Sequence, residues 1–210
     1  MNIMYSKKIE AWKITLNLNK IQREILVGLI LGDGHLETQN NGKTYRLKIE
    51  QSLNKAEYMK WLYENFENFV LNKPKIKDKI RNKVATKNIW FSTLSHGSFR
   101  FYAQQFYAKG EKVIPKITEK LLTPLGLAVW FMDDGSKKSK FHKAKIINTQ
   151  CFSKKEVLFL IKILKNKFEI NAKLRYQKDG YQIYILSESM DKFKEVVGPY
   201  IIDCMRYKLD

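Results

Sequence analysis

Leu26-Val27-Gly28-Leu29-Ile30-Leu31-Gly32-Asp33-Gly34 reads as the apolar end of a helix that stops at a carboxylate and a glycine. Leu127-Ala128-Val129-Trp130-Phe131-Met132-Asp133-Asp134-Gly135 repeats it at an offset of 101 residues. Leu26/Leu127, Asp33/Asp134 and Gly34/Gly135 are identical, and four further positions pair apolar with apolar. A stretch of this kind occurring twice predicts a duplicated unit.

Working outward, residues 1–18 carry only a weak signal, for a strand or an arm. Asn19 with Gln22 makes a capping box that opens a helix running to about Leu31. Gly34 is expected as its left-handed C-terminal residue. Extended runs at 35–39 and 44–51 flank Asn40-Asn41-Gly42, a hairpin signal. Asn54 with Glu57 predicts the cap of a helix bearing Met59, Leu62, Phe66 and Phe69. Lys73, Lys75, Lys77, Lys79, Arg81 and Lys83 alternate with other residues, so all six lie on one side of a strand. Residues 88–94 are its partner, and 98–107 form a third helix.

After a connector at 111–122 the order repeats. Thr123-Pro124 is an N-cap followed by proline at the first helical position. Strands are expected at 136–141 and 144–150. Ser153 with Glu156 caps a helix bearing Val157, Leu160, Ile161, Leu164 and Phe168. A hairpin turns at Asp179-Gly180, and 191–197 are helical. The predicted fold is α+β: two pseudo-symmetric αββαββα halves, 1–110 and 123–210, each with an antiparallel sheet.

Composition narrows the function. The chain has 210 residues, of which 44% are hydrophobic and 13% aromatic, so it is globular. No apolar run is long enough for a membrane span, and residues 1–10 lack the apolar core of a signal peptide. Cys151 and Cys204 make neither a disulfide framework nor a zinc site. The net charge of +18 calls for a polyanion, of which nucleic acid is the commonest. The charge is also patterned. Arg46, Lys48 and Glu50 share one strand face against Tyr45, Leu47 and Ile49, and Lys173, Arg175 and Gln177 share another. The 33 lysines against 6 arginines suggest AT-rich coding, as in a mitochondrion, a chloroplast or a low-GC bacterium.

The two motif helices should meet. Gly28 and Gly32 lie on one helical face, where each glycine costs roughly 1 kcal/mol relative to alanine. Close approach of a second helix, with the small Ala128, supplies a reason. Asp33 and Asp134 then end side by side at the negative end of two helix dipoles, each disfavoured by about 0.3–1 kcal/mol. A divalent cation removes that penalty, and hard oxygen donors suit Mg²⁺. Successive helical residues point about 100° apart, so Asp133 and Asp134 cannot share one centre. Asp134 is the equivalent of Asp33, and Asp133 falls opposite Gly32 in the packing face. One Asp-Gly alone would be a helix stop. Two, with a basic sheet, favour a metal site flanked by Gly32 and Asp133.

The chain resembles the LAGLIDADG homing endonucleases in their single-chain, two-motif form, and in particular intron-encoded members of the omega type. Besides both motifs, the likeness is carried by Gly42-Lys43-Thr44-Tyr45, Leu122-Thr123-Pro124, Asn148-Thr149-Gln150, Asn166-Lys167-Phe168 and Tyr207-Lys208-Leu209. The resemblance implies sheets forming a saddle over double-stranded DNA, with the motif helices at the interface. It implies metal at Asp33 and Asp134, with two or three Mg²⁺ ions, Mn²⁺ as a substitute and Ca²⁺ binding without cleavage. Lys112, in Glu111-Lys112-Val113-Ile114-Pro115, and Lys208 are the implied active-site lysines. Glu50 or Gln51, with Gln150, takes a polar position at the end of the second strand. Arg46, Lys48, the 73–83 set, Lys143, Lys145, Lys173, Arg175 and Gln177 are the expected DNA contacts. The implied activity is double-strand cleavage with 3′ overhangs by a monomer needing no protein partner. An RNA-binding intron maturase, a non-cleaving DNA-binding protein and a basic structural protein are the competing readings.

Overall fold

The Gln22 N–H donates to Asn19 Oδ1 at 2.8 Å, and the Asn19 N–H donates to Gln22 Oε1 at 3.0 Å. This reciprocal cap satisfies two orphan donors and opens α2 (Lys20–Leu31) where the sequence places it. Gln22 also donates through Nε2 to the Asn65 carbonyl and Asn68 Oδ1, which makes its burial affordable. Ahead of it, α1 (Ile3–Thr15) replaces the expected strand or arm. Its apolar residues are not gathered on one face, so no helical period was there to read.

The computed structural model describes residues 3–81, 84–139 and 142–210. The chain divides into two compact units, Met1–Arg23 with Gly34–Ala103, and Glu24–Asp33 with Gln104–Asp210. In the first lie β1 (His35–Glu37), β2 (Arg46–Ser52), α3 (Ala56–Phe66), β3 (Lys75–Arg81) and β4 (Val84–Ser92), with α4 (Arg100–Phe106) beginning there. The antiparallel sheet runs β1-β2-β4-β3. Leu36, Leu47, Ile49 and Phe91 are buried in its core, as are Tyr58, Met59, Leu62 and Phe66 of α3. Each such side chain contributes roughly 1.5–3 kcal/mol through burial.

The second unit carries a short ribbon, β5 (Tyr107–Ala108) with β6 (Glu111–Lys112), then α5 (Thr118–Leu121) and α6 (Pro124–Asp134). There follow β7 (Gly135–Ser139), β8 (His142–Asn148), α7 (Lys154–Phe168), β9 (Ala172–Gln177), β10 (Gly180–Ile185) and α8 (Met190–Val197). Its sheet runs β7-β8-β10-β9, the same connectivity as the first. From α2 to α4, and again from α6 to α8, the order is αββαββα. Thr123 Oγ1 caps α6 by accepting from the Gly126 N–H, and Ser153 with Glu156 forms the capping box of α7.

Three expectations are corrected. Gly34 is not left-handed, since the positive-φ glycines are Gly42, Gly110 and Gly180. Gly135 has φ −70°, and its glycine is required because a Cβ would overlap the Phe131 ring and carbonyl. Asn54 and Glu57 do not cap α3, because a 3₁₀ turn at Leu53–Lys55 moves the N-cap to Lys55. On α7 the buried residue is Ile163, while Ile161 is only half-buried. Among the described residues no helix is long and apolar enough to cross a membrane.

Candidate active site

The last turns of α2 and α6 belong to the same unit and pack backbone against backbone. A methyl on Gly28 would overlap the Gly126 carbonyl oxygen and lie 2.7 Å from Val129 Cβ. One on Gly32 would lie 2.5 Å from Asp133 Oδ2. Gly126, which the sequence reading passed over, also approaches the α2 backbone, less tightly: its added Cβ would lie 3.1 Å from the Glu24 carbonyl. At the opposite end of the contact Thr123 Oγ1 donates to Glu24 Oε2 at 2.9 Å.

This contact brings the acidic residues together. Asp133, 6% exposed, accepts the Asp33 N–H through Oδ2 at 3.0 Å. Asp33 itself is exposed and Asp134 half-buried. Desolvation pushes the Asp134 carboxyl up to about 8, and the charges of Asp133 and Asp33 push the same way. Lys112 and Lys208 pull it back only in part. Asp33 and Asp134 stand near enough to feel each other's charge, and such a pair suits a hard divalent cation such as Mg²⁺. Among the described residues no group of three or more His, Cys, Asp or Glu could hold a metal, so main-chain and non-protein oxygens would complete its shell.

The lysines close the two helix ends in matching fashion. Lys112 Nζ donates to the Gly32 carbonyl at 2.6 Å. Lys208 Nζ donates to the carbonyls of Met132 at 2.5 Å and Asp133 at 3.1 Å. Gly32 and Asp133 are the same position of the repeated motif, so both ammoniums take up orphan C-terminal carbonyls and face the negative end of a dipole. Lys112 sits on β6, paired with Tyr107. Burial pushes its pKa down, while Cys151, Asp134, Asp133 and Asp33 pull it up. Glu156, besides capping α7, accepts the Ile114 N–H at 2.8 Å and so holds the segment just beyond Lys112.

Sequence reasoning missed Asn148 and Gln182. Asn148 Nδ2 donates to the Asp134 carbonyl at 2.8 Å, and Gln182 Nε2 donates to Asn148 Oδ1 at 2.7 Å. Asn148 is the last residue of β8, whereas Gln150 lies beyond the strand in a turn. The available signal was the polar run Asn148-Thr149-Gln150 at the strand end.

Glu50 and Gln51 point to opposite faces of β2. Gln51 is 5% exposed and accepts from Lys55 Nζ at 3.0 Å. Glu50 lies on the open face, 2.6 Å from Lys77 and 3.3 Å from Lys79, and accepts from Asn88 at 2.7 Å. Desolvation raises its carboxyl, but the Lys77, Asn88 and Lys79 contacts outweigh that and hold it at about 2. His35 pairs with Lys48, and Ser136 with Ile146. Counted from these pairs, Glu50 is the counterpart of Asn148.

The open face of the first sheet carries Lys48, Lys75, Lys77 and Lys79 around Trp90, with Lys48 and Lys77 within 6.0 Å of its ring centre. Arg46 pairs with Glu37 at 2.7 Å. Lys73 is exposed just ahead of β3, and Lys83 lies outside the described residues, as does the side chain of Arg81. On the second sheet Lys173, Arg175 and Gln177 share a face with Tyr184 and Gln182. Lys138, not anticipated, sits 5.3 Å over the Tyr184 ring. Lys143 is exposed near the start of β8. Lys145 is a correction: it is 2% exposed, donates to the Asp210 main-chain oxygen at 2.5 Å and cannot contact DNA. It alternates with Ile146 and so shares the core side with Ile147, opposite Ile185 and Ile183.

A repeated motif helix ending in a carboxylate, an adjacent lysine cap and an open basic sheet define a class of chain that the comparisons identify. The pattern of the LAGLIDADG DNA endonuclease family matches residues 23–193, and the chain belongs to that family. It is 36% identical over 201 residues to "Probable intron-encoded endonuclease 1" of Wickerhamomyces canadensis, covering 91% of this chain and 85% of that protein. It is 36% identical over 207 residues to "Cytochrome b mRNA maturase bI2" of Saccharomyces cerevisiae, covering 92% of this chain but about half, 48%, of the yeast protein. Among solved structures, the homing endonuclease I-WcaI bound to its DNA recognition sequence superposes with a TM-score of 0.92 at 32% identity. That match covers 97% of this chain and 92% of the other.

Proposed function

We propose that this chain is a homing endonuclease that hydrolyses one phosphodiester bond in each strand of a long, asymmetric double-stranded DNA site, leaving 3′ overhangs. The observation that carries this reading is the juxtaposition of Asp33 and Asp134 at the ends of two backbone-packed helices, each end capped by a lysine. The likeness to I-WcaI, solved with its DNA, supports the substrate class.

Asp33 and Asp134 are the metal ligands, with the main chain at Gly32 and Asp133 alongside. Bound Mg²⁺ supplies charge neutralisation at the scissile phosphate and a more acidic water. Two or three such ions are expected, with Mn²⁺ as an active substitute and Ca²⁺ as an inactive one. Lys112 and Lys208 keep positive charge beside the reacting phosphates and hold the aspartate-bearing turns. Glu50, rather than the buried Gln51, is the polar residue available on the open face, and Asn148 is its counterpart. The basic side chains of both sheets bind phosphates and orient strands for base contacts in the major groove. The asymmetry of the site follows from two halves of different sequence. The lysine-rich composition and the intron-encoded relative support an organellar gene.

A Mg²⁺-dependent cleavage assay on DNA carrying the gene's intron-free insertion site tests the reading. The expected result is double-strand cleavage by the wild type, and binding without cleavage by D33N and D134N. Full cleavage by the double variant overturns the assignment of the aspartates. The similarity to the yeast maturase favours a second reading, assistance of intron splicing. Binding to intron RNA with no cleavage of DNA would select it.

A further inference from the structure

Among the described residues two lysines are buried, Lys145 at 2% exposure and Lys208 at 8%. Lys208 spends its ammonium on the end of α6. Lys145 has no part in the site or in the DNA face. It sits on the core side of β8, in register with Lys137 of β7 and Ile185 of β10. Burial and then the charges of Lys137 and Lys194 push its pKa down, and Asp210 pulls it back only in part. A buried ammonium near two other cations is costly, and an aliphatic residue would fill the place without that cost.

What the ammonium holds is the main-chain oxygen of Asp210, at 2.5 Å. Asp210 lies two residues beyond Lys208. Between them the chain leaves the 3₁₀ turn Asp203–Lys208 through Leu209, which is buried. The other lysine cap is held in the same way. Glu156 Oε1 takes the N–H of Ile114, two residues beyond Lys112. Each capping lysine thus has a charged side chain fastening the backbone two residues further on.

We infer that Lys145 is a positioning residue: by tying down the chain at Asp210 it holds the Lys208 ammonium on the carbonyls of Met132 and Asp133, beside Asp134. This rests on the reading that Lys208 belongs to the active site. The tether itself can be measured without any cleavage.

The test uses K145M, which keeps the apolar stem and removes the donor. The first readout is acetylation of the Lys208 amine in the full-length protein, followed by mass spectrometry. The second is single-turnover cleavage of the intron-free target at saturating protein. In K145M, Lys208 should label about tenfold faster and cleavage should slow about tenfold, the usual size of an outer-shell loss, while DNA affinity stays within about threefold. Lys112 should label as in the wild type. In a K208M background K145M should cost no more than about twofold further, because the two act through one group. Wild-type labelling of Lys208 in folded K145M overturns the inference, and so does a full additional loss in K208M. If the wild type cuts no DNA, the endonuclease reading fails while the labelling still decides the tether. If K145M does not fold, K145R decides instead. Its larger planar cation cannot donate from the same point, so Lys208 labelling should rise by about threefold. Unchanged labelling in K145R overturns the inference.

Discussion

The carboxylate of Asp133 accepts the main-chain N–H of Asp33 at 3.0 Å, so the end of one motif helix is fastened by a side chain of the other. A hydrogen bond to a charged group contributes about 1.5–3 kcal/mol. D133A should therefore lower stability by about that amount, a fall in Tm of several degrees for a chain of this size. D133N keeps an acceptor and should lose less. Thermal melts of the two variants check the order, and equal losses would show that the bond to Asp33 is not what matters.

Gly28 makes a steric prediction against helix propensity. Alanine is favoured by roughly 1 kcal/mol in a helix interior. Its methyl would here overlap the Gly126 carbonyl and crowd Val129, and such overpacking costs about 1–3 kcal/mol. The overlap is with backbone, which cannot swing aside, so G28A should destabilise. A denaturant midpoint at or above the wild type would contradict the packing.

Glu50 couples acid stability to DNA binding. Its carboxyl is held at about 2, below its ordinary 4.5. The stabilisation it lends is complete above 4.5 and is lost as pH falls through about 2. E50Q should flatten the fall in Tm over that window. It also releases Lys77 and Lys79 for phosphates, so the salt dependence of DNA binding should steepen by about one to two units. A slope unchanged from the wild type would separate these lysines from the DNA.

Removing Lys75, Lys77 and Lys79 together acts in the opposite direction. With Lys77 and Lys79 held by Glu50, the slope of log affinity against log salt should shrink by about one unit in the wild type, and by about 2–3 units when the same three lysines are removed from E50Q. The loss should be similar on specific and random DNA, because phosphate contacts carry no sequence information. Titrations at several salt concentrations on both DNAs check this.

Much of the fold was legible because its signals are local. The caps at Asn19/Gln22, Thr123 and Ser153/Glu156 need only a few consecutive residues, and all three form. The failures were local signals without a local cause. Asn54 and Glu57 have capping spacing, but the 3₁₀ turn Leu53–Lys55 comes first. Helix α1 has no apolar stripe, so nothing in its residues announced it.

The sequence by itself determined that a helix ending in Asp33-Gly34 recurs at Asp134-Gly135, and that charges alternate with apolar residues along the strands. Chain periodicity and the requirement of glycine for close backbone approach were sufficient for that. Only the tertiary structure decided that both lysines end on helix carbonyls, that Asp133 takes up the Asp33 N–H, and that Lys145 lies in the core with its charge on Asp210. Those outcomes depend on partners some 65 to 100 residues away in the chain. A charged side chain's place, surface or interior, is set by whether such a partner arrives, and no local pattern records it.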